Sequence, residues 1–103
     1  MASWYREHGY DVVARNWRRR SGEIDIVARR GPLTVVCEVK TRSSRYFGSP
    51  SEAVGQDKRR RLRRLAAEWL SENPARGALR FDVAAVVMTD GDPPVLDIIE
   101  SAF

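Results

Sequence analysis

Asp25, Glu38 and Lys40 fall inside "GEIDIVARRGPLTVVCEVKTR" (residues 22 to 42), a stretch that otherwise reads as two apolar strands. Strands favour Val or Thr at such positions, so acids and a lysine there need a reason. Strand side chains alternate between faces, which puts Glu23, Asp25 and Val27 on one face of the first strand. Val36, Glu38 and Lys40 share one face of the second. With Gly31 and Pro32 as the central turn residues, antiparallel partners carry numbers that sum to 63, and Asp25 faces Glu38. Directly opposed residues have β-carbons about 5 Å apart, and two carboxylates there repel by about 3 kcal/mol at an effective dielectric of about 20. That exceeds the ~1 kcal/mol spread of strand propensities.

A shared proton, a nearby cation or a divalent metal would offset the repulsion. Oxygen-rich sites with open positions suit Mg²⁺ or Mn²⁺ in phosphoryl chemistry. Lys40, two residues beyond Glu38 on the same face, is placed to hold a water or hydroxide or to stabilise charge developing on a phosphate. The register rests on one turn, and a slip of one residue would separate the acids. The alternative is a solvated ladder in which Glu23 and Asp25 pair with Arg or Lys neighbours.

The elements that must position these residues follow from punctuation and period. Residues 3 to 8 read as the end of a helix stopped by Gly9, and "YDVVARNW" reads as a strand. "RRRSG" is a polar turn, followed by strand 23 to 29, the Gly31-Pro32 turn and strand 33 to 40. In "TRSSRYFGSP", Ser49, Pro50 and Glu52 form a helix-start signal, and Gly55 breaks or bends the chain before the main helix. There Leu62, Leu65, Ala66, Trp69 and Leu70 recur at the helical period as one buried stripe. Lys58, Arg59, Arg60, Arg61, Arg63 and Arg64 crowd the first turns, unfavourably placed at the positive end of the helix dipole. Asn73-Pro74 ends the helix. "LRFDVAAVVM" (79 to 88) reads as a strand covered on both faces, and "VLDIIE" (95 to 100) as one nearer an edge.

The chain of 103 residues suits one domain, able to bury about two-thirds of its unfolded surface without staples. Its single cysteine, Cys37, lies in an apolar run and reads as a small buried hydrophobe rather than a nucleophile. Trp4, Trp17 and Trp69 read as packing residues. No apolar run approaches the ~20 residues of a membrane span and the N-terminus lacks a secretory pattern, which predicts a cytoplasmic protein with no membrane partner. The net charge is +4, and 16 of the 18 basic residues are arginine, the side chain best suited to phosphate. A compositional preference for arginine accounts for the same observation.

Asp25 followed by Glu38-x-Lys40 resembles the PD-(D/E)xK nuclease superfamily, with Ile24 at the position of its proline. "GYDVVARNWR", "GEIDIVA", "VVCEVKTR", "FGSPSEAV", Lys58 and "RFDVAAV" together resemble the YraN-like family of predicted endonucleases, similar in fold to Holliday junction resolvases, over nearly the whole chain.

The resemblance implies an α/β (α+β) restriction-endonuclease-like fold: a central mixed, mostly antiparallel sheet flanked by helices. It implies Mg²⁺- or Mn²⁺-dependent hydrolysis of phosphodiesters in branched or duplex DNA, with Asp25, Glu38 and Lys40 catalytic. The family usually begins with a helix bearing a Gly-x-x-Gly-Glu segment, and this chain is expected to start after it, Glu7 lying too far along. A metal would then rest on Asp25, Glu38 and the carbonyl of Val39, with Glu23 assisting. Arg42, Arg45, Lys58, Arg59 and Arg61 would form a phosphate track, with Tyr46 and Phe47 stacking on an exposed base or anchoring the loop. Asp82 would support the site through Lys40 or Arg80, or else form a strand-end salt bridge. A homodimer would serve paired cuts. Two alternatives stay open: a nucleic-acid-binding module without turnover, and a scaffold that binds protein through its Arg-rich helix.

Overall fold

The computed structural model describes residues 1–43, 54–88 and 90–103. The hairpin forms as its alternation requires. Strand β2 (Gly22–Arg30) pairs antiparallel with β3 (Leu33–Ser43) from Arg30↔Leu33 to Ile26↔Cys37, every pair summing to 63. On the other side of β2 lies β1 (Asp11–Arg19), also antiparallel. Strand β4 (Ala78–Met88) runs parallel to β3, and β5 (Val95–Ile99) closes the sheet antiparallel to β4. The order is β1-β2-β3-β4-β5, a mixed, mostly antiparallel sheet.

A parallel pair needs a crossover rather than a tight turn. Helix α2 (Gln56–Glu72) lies in that connection and lays Leu62, Leu65, Ala66 and Trp69 against Ile24, Val27, Val36, Phe81 and Val83. Each large apolar side chain buried there contributes about 1.5–3 kcal/mol. The short helix α1 (Ala2–Glu7) covers the opposite face, where Ala2 and Tyr5 pack with Ile26, Ala28, Val35, Cys37 and Ala84. Gly9, at φ 85, stops α1 in the left-handed conformation a helix-terminating glycine supplies. With both faces covered, residues 81 to 85 of β4 are all buried, the apolar Phe81, Val83, Ala84 and Ala85 together with the charged Asp82. Edge strand β5 leaves Val95 58% exposed. The arrangement is α+β and consistent with a restriction-endonuclease-like fold.

Two local features differ from simple sequence rules. Gly55 is the N-cap of α2 and has no side chain to cap it, while the expected Ser49, Pro50 and Glu52 start lies outside the described residues. Alternation also fails across Asp25: Ile24 joins Val27 in the α2-side core, although strict alternation puts them on opposite faces. The irregularity coincides with Asn16, the β1 residue at the level of Asp25, whose φ of 50 departs from strand geometry. Gly77, at φ 117, lets the start of β4 close onto the hairpin turn. A β-carbon there would lie 2.1 Å from the Pro32 carbonyl oxygen, the same atom that accepts a 3.0 Å hydrogen bond from Ala78 N–H.

Candidate active site

Beyond Ile26↔Cys37 the two strands of the hairpin are held by a side chain. The amide of Val39 donates to Asp25 Oδ2 at 2.8 Å, so the carboxylate takes over where the backbone ladder ends. This fixes Asp25 beside β3 at the level of Glu38. Glu38 is only 6% exposed, and both Lys40 (Nζ at 3.1 Å) and Lys58 (Nζ at 2.5 Å) reach the same oxygen, Oε1. Lys40 comes from β3 and Lys58 from the first turn of α2, so a strand and the helix above it meet at one buried carboxylate.

Asp25, Glu38 and Lys58 line a cleft of about 180 Å³ together with Gly22, Glu23, Arg61, Leu62 and Leu65, and Lys40 reaches it through its contact with Glu38. Glu23 also pairs with Arg18 at 3.4 Å, the kind of contact that the solvated-ladder alternative gave it. Gly22 lets α2 approach closely: a β-carbon there would lie 3.2 Å from the Arg61 side chain.

Burial raises the Asp25 carboxyl above its ordinary value; the Val39 amide works against this, and the Glu38 and Glu23 charges add to it. Lys40 is lowered, first by burial and then by the Lys58 ammonium beside it. Burial acts to lower Lys58 as well, but the Glu38 carboxylate outweighs it and Lys58 is raised. The site thus holds two carboxylates and two ammonium groups in partial desolvation, where their mutual effects are strong.

Among the described residues no group of three or more His, Cys, Asp and Glu side chains is arranged to hold a metal. The donors present nevertheless fit a hard divalent cation of the Mg²⁺ type, which is bound by one or two carboxylates with water and phosphate oxygens completing the shell. The Val39 N–H points to the β2 edge, and in an extended strand the carbonyl of the same residue faces that edge too.

Not every expected participant gathers here. Asp82 is fully buried on the α1 side of the sheet. It accepts hydrogen bonds from Tyr5 Oη (2.8 Å), Arg80 Nε (2.8 Å), an Arg80 terminal nitrogen (2.9 Å) and Ser101 N–H (3.1 Å). Its register neighbour in β3 is Cys37, whose side chain faces away from Glu38. Asp82 therefore bonds to Arg80 rather than Lys40, as a structural anion. Cys37 is buried as expected, its thiol pushed up to about 12, chiefly by burial.

Of the basic track, Lys58 belongs to the cleft itself. Arg59 donates to the Val54 carbonyl at 2.8 Å and lies over Phe103. Arg60, Arg61, Arg63 and Arg64 are exposed along a groove of about 650 Å³ on α2. Arg42 lies at the end of β3, and Arg45, Tyr46 and Phe47 lie outside the described residues. Trp69 is core at 3% exposure, Trp17 packs at its margin, and Trp4 stacks on His8. The convergence of both lysines on Glu38 is the feature that the sequence reading missed. The available signal was composition, since Lys40 and Lys58 are the only lysines in the chain.

No helix among the described residues is long and apolar enough to cross a membrane. The chain is 48% identical over 103 residues to a UPF0102 protein of Nocardia farcinica, covering 99% of this chain and 81% of the relative. It is 53% identical over 87 residues to one of Leifsonia xyli subsp. xyli, covering 84% and 74% respectively. A UPF0102 protein of Beutenbergia cavernae matches at 54% over 87 residues, with the same coverage. The sequence model of Uncharacterised protein family UPF0102 matches residues 1–86. With that match spanning the hairpin, the helix above it and most of β4, the chain belongs to Uncharacterised protein family UPF0102, the YraN-like family.

Proposed function

We propose that this protein is a metal-dependent endonuclease that hydrolyses phosphodiester bonds in structured or duplex DNA. The observation that carries the reading is the meeting of Asp25 and Glu38 in one cleft, with Lys40 paired to Glu38 at 3.1 Å, beneath a helix whose first half exposes Arg60, Arg61, Arg63 and Arg64. Asp25 and Glu38, with the Val39 carbonyl, are the residues that would hold Mg²⁺ or Mn²⁺. The bound ion would polarise a phosphate oxygen and acidify a water at neutral pH.

The chain's own groups supply the rest. Lys40, fixed by Glu38 and only 20% exposed, presents an ammonium to negative charge developing on the phosphate. Arg60, Arg61, Arg63 and Arg64 neutralise flanking phosphates and orient the backbone across the cleft mouth. A homodimer would provide the two sites that paired cuts in a branched substrate need, and a solution mass at working concentration would test it.

Asp25→Asn should abolish Mg²⁺-dependent cleavage of branched or duplex DNA while the circular dichroism spectrum stays native. Undiminished cleavage by this variant would exclude the site. A second reading has support in the way Lys40 and Lys58 already balance Glu38. On it, the protein binds DNA through α2 without turning it over, and strongly salt-dependent binding without cleavage in either Mg²⁺ or Mn²⁺ would favour it.

A further inference from the structure

The chain has 16 arginines and two lysines, and both lysines contact the same oxygen of Glu38. The two side chains arrive from different elements, so local sequence does not force the meeting. Lysine and arginine do different things at a carboxylate. A guanidinium clamps it with a planar fork, whereas an ammonium is a compact charge on a flexible stem that can let go without dismantling a bidentate pair. Two ammoniums on one oxygen repel each other, yet together they place on Glu38 the double positive charge that one divalent cation would supply at a single point. The two are unequally held. Lys40 lies within the sheet with its side chain 20% exposed, while Lys58 stands at the start of α2 at the cleft mouth, 34% exposed.

We propose that Lys58 is a resident counter-ion that occupies Glu38 in the absence of metal and is displaced from it when a divalent cation binds. The proposal rests on the reading of the cleft as a cation site and adds a competitor built into the fold. Lys58 is then a positioning residue: it keeps a buried carboxylate neutralised and in place, and it weakens cation affinity by the strength of the contact it must surrender. Lys40 stays on Glu38 throughout.

Calorimetric titration of Mn²⁺ into wild-type, Asp25→Asn, Lys58→Met and Lys58→Arg proteins tests this. The pairing of a part-exposed ammonium with a carboxylate translates into about fivefold tighter Mn²⁺ binding by Lys58→Met. Lys58→Arg, which grips Glu38 more firmly, should bind no more tightly than wild type, and Asp25→Asn should not bind. Saturable binding by Lys58→Met with none in wild type would support the proposal in its strongest form. Equal affinity in wild type and Lys58→Met, with binding lost in Asp25→Asn, would overturn the role of Lys58 and leave the cation site standing. No saturable binding in either wild type or Lys58→Met would overturn both. Should Lys58→Met fail to fold, acetic anhydride labelling of the wild type, read by peptide mass spectrometry, decides. Lys58 must label faster with Mn²⁺ than without, and an unchanged rate overturns the proposal.

Discussion

Replacing Asp25 by Asn should make the metal-free protein more stable at neutral pH, although it removes a group the proposed activity requires. Asp25 stands at the level of Glu38, one step beyond Ile26↔Cys37. Opposed β-carbons about 5 Å apart carry a carboxylate repulsion of about 3 kcal/mol at an effective dielectric of about 20. Lys40 and Lys58, at 3.1 and 2.5 Å from Glu38, cancel much of that field. Water in the cleft screens more, leaving about 1 kcal/mol. The substituted side chain would keep the hydrogen bond from Val39, because an amide oxygen accepts as the carboxylate does. A gain of that size corresponds to about 4–8 °C in Tm for a domain of around 100 residues.

The pH dependence gives the sign a second check. The Asp25 carboxyl is raised above 3.8, first by burial, so the folded state takes up this proton more readily than the unfolded state. The wild type therefore recovers stability from this group as pH falls through its folded value. The advantage of Asp25→Asn shrinks over the same interval. Urea melts of both proteins in chelator from neutral to mildly acid pH would measure it. An Asp25→Asn protein less stable than wild type at neutral pH, or an advantage that grows on acidification, would refute the electrostatic account. Adding Mg²⁺ should reverse the order, since a ligand that binds only the wild-type native state stabilises it alone.

Asp82→Ala should cost about 3–5 kcal/mol in urea unfolding, because it strands the Arg80 guanidinium and the buried Tyr5 hydroxyl, yet leave Mn²⁺ affinity unchanged from the other side of the sheet. Gly77→Ala should lose about 1–3 kcal/mol by forcing a β-carbon toward the Pro32 carbonyl at a φ that side chains avoid; a shifted denaturation midpoint with an unchanged slope would show it. If DNA binding involves about five phosphates, the logarithmic salt dependence should have a slope near −4 to −5. The Arg60→Ala and Arg64→Ala pair should make that slope shallower by about 2 units, measured by fluorescence anisotropy over a salt series.

The sequence carried the hairpin almost completely. A Gly-Pro turn between alternating runs sets the pairing sum, which holds as far as Ile26↔Cys37 and brings Asp25 to the level of Glu38, although parity does not fix side-chain direction across Asp25 itself. The period of Leu62, Leu65, Ala66 and Trp69 likewise identified the buried stripe of α2, since a helix exposes its faces at a fixed repeat. Tertiary structure decided what parity and period do not reach. The crossover through α2 sets the parallel register that pairs Asp82 with Cys37 and turns it toward Tyr5, away from the cleft. The irregularity at Asn16 and Asp25 moves Ile24 into the α2-side core. The packing of α2 on β2 then carries Lys58 to Glu38, a residue far from it along the chain. Contacts between residues one turn or one hairpin apart are written in local spacing, whereas those across a crossover depend on where a helix comes to rest.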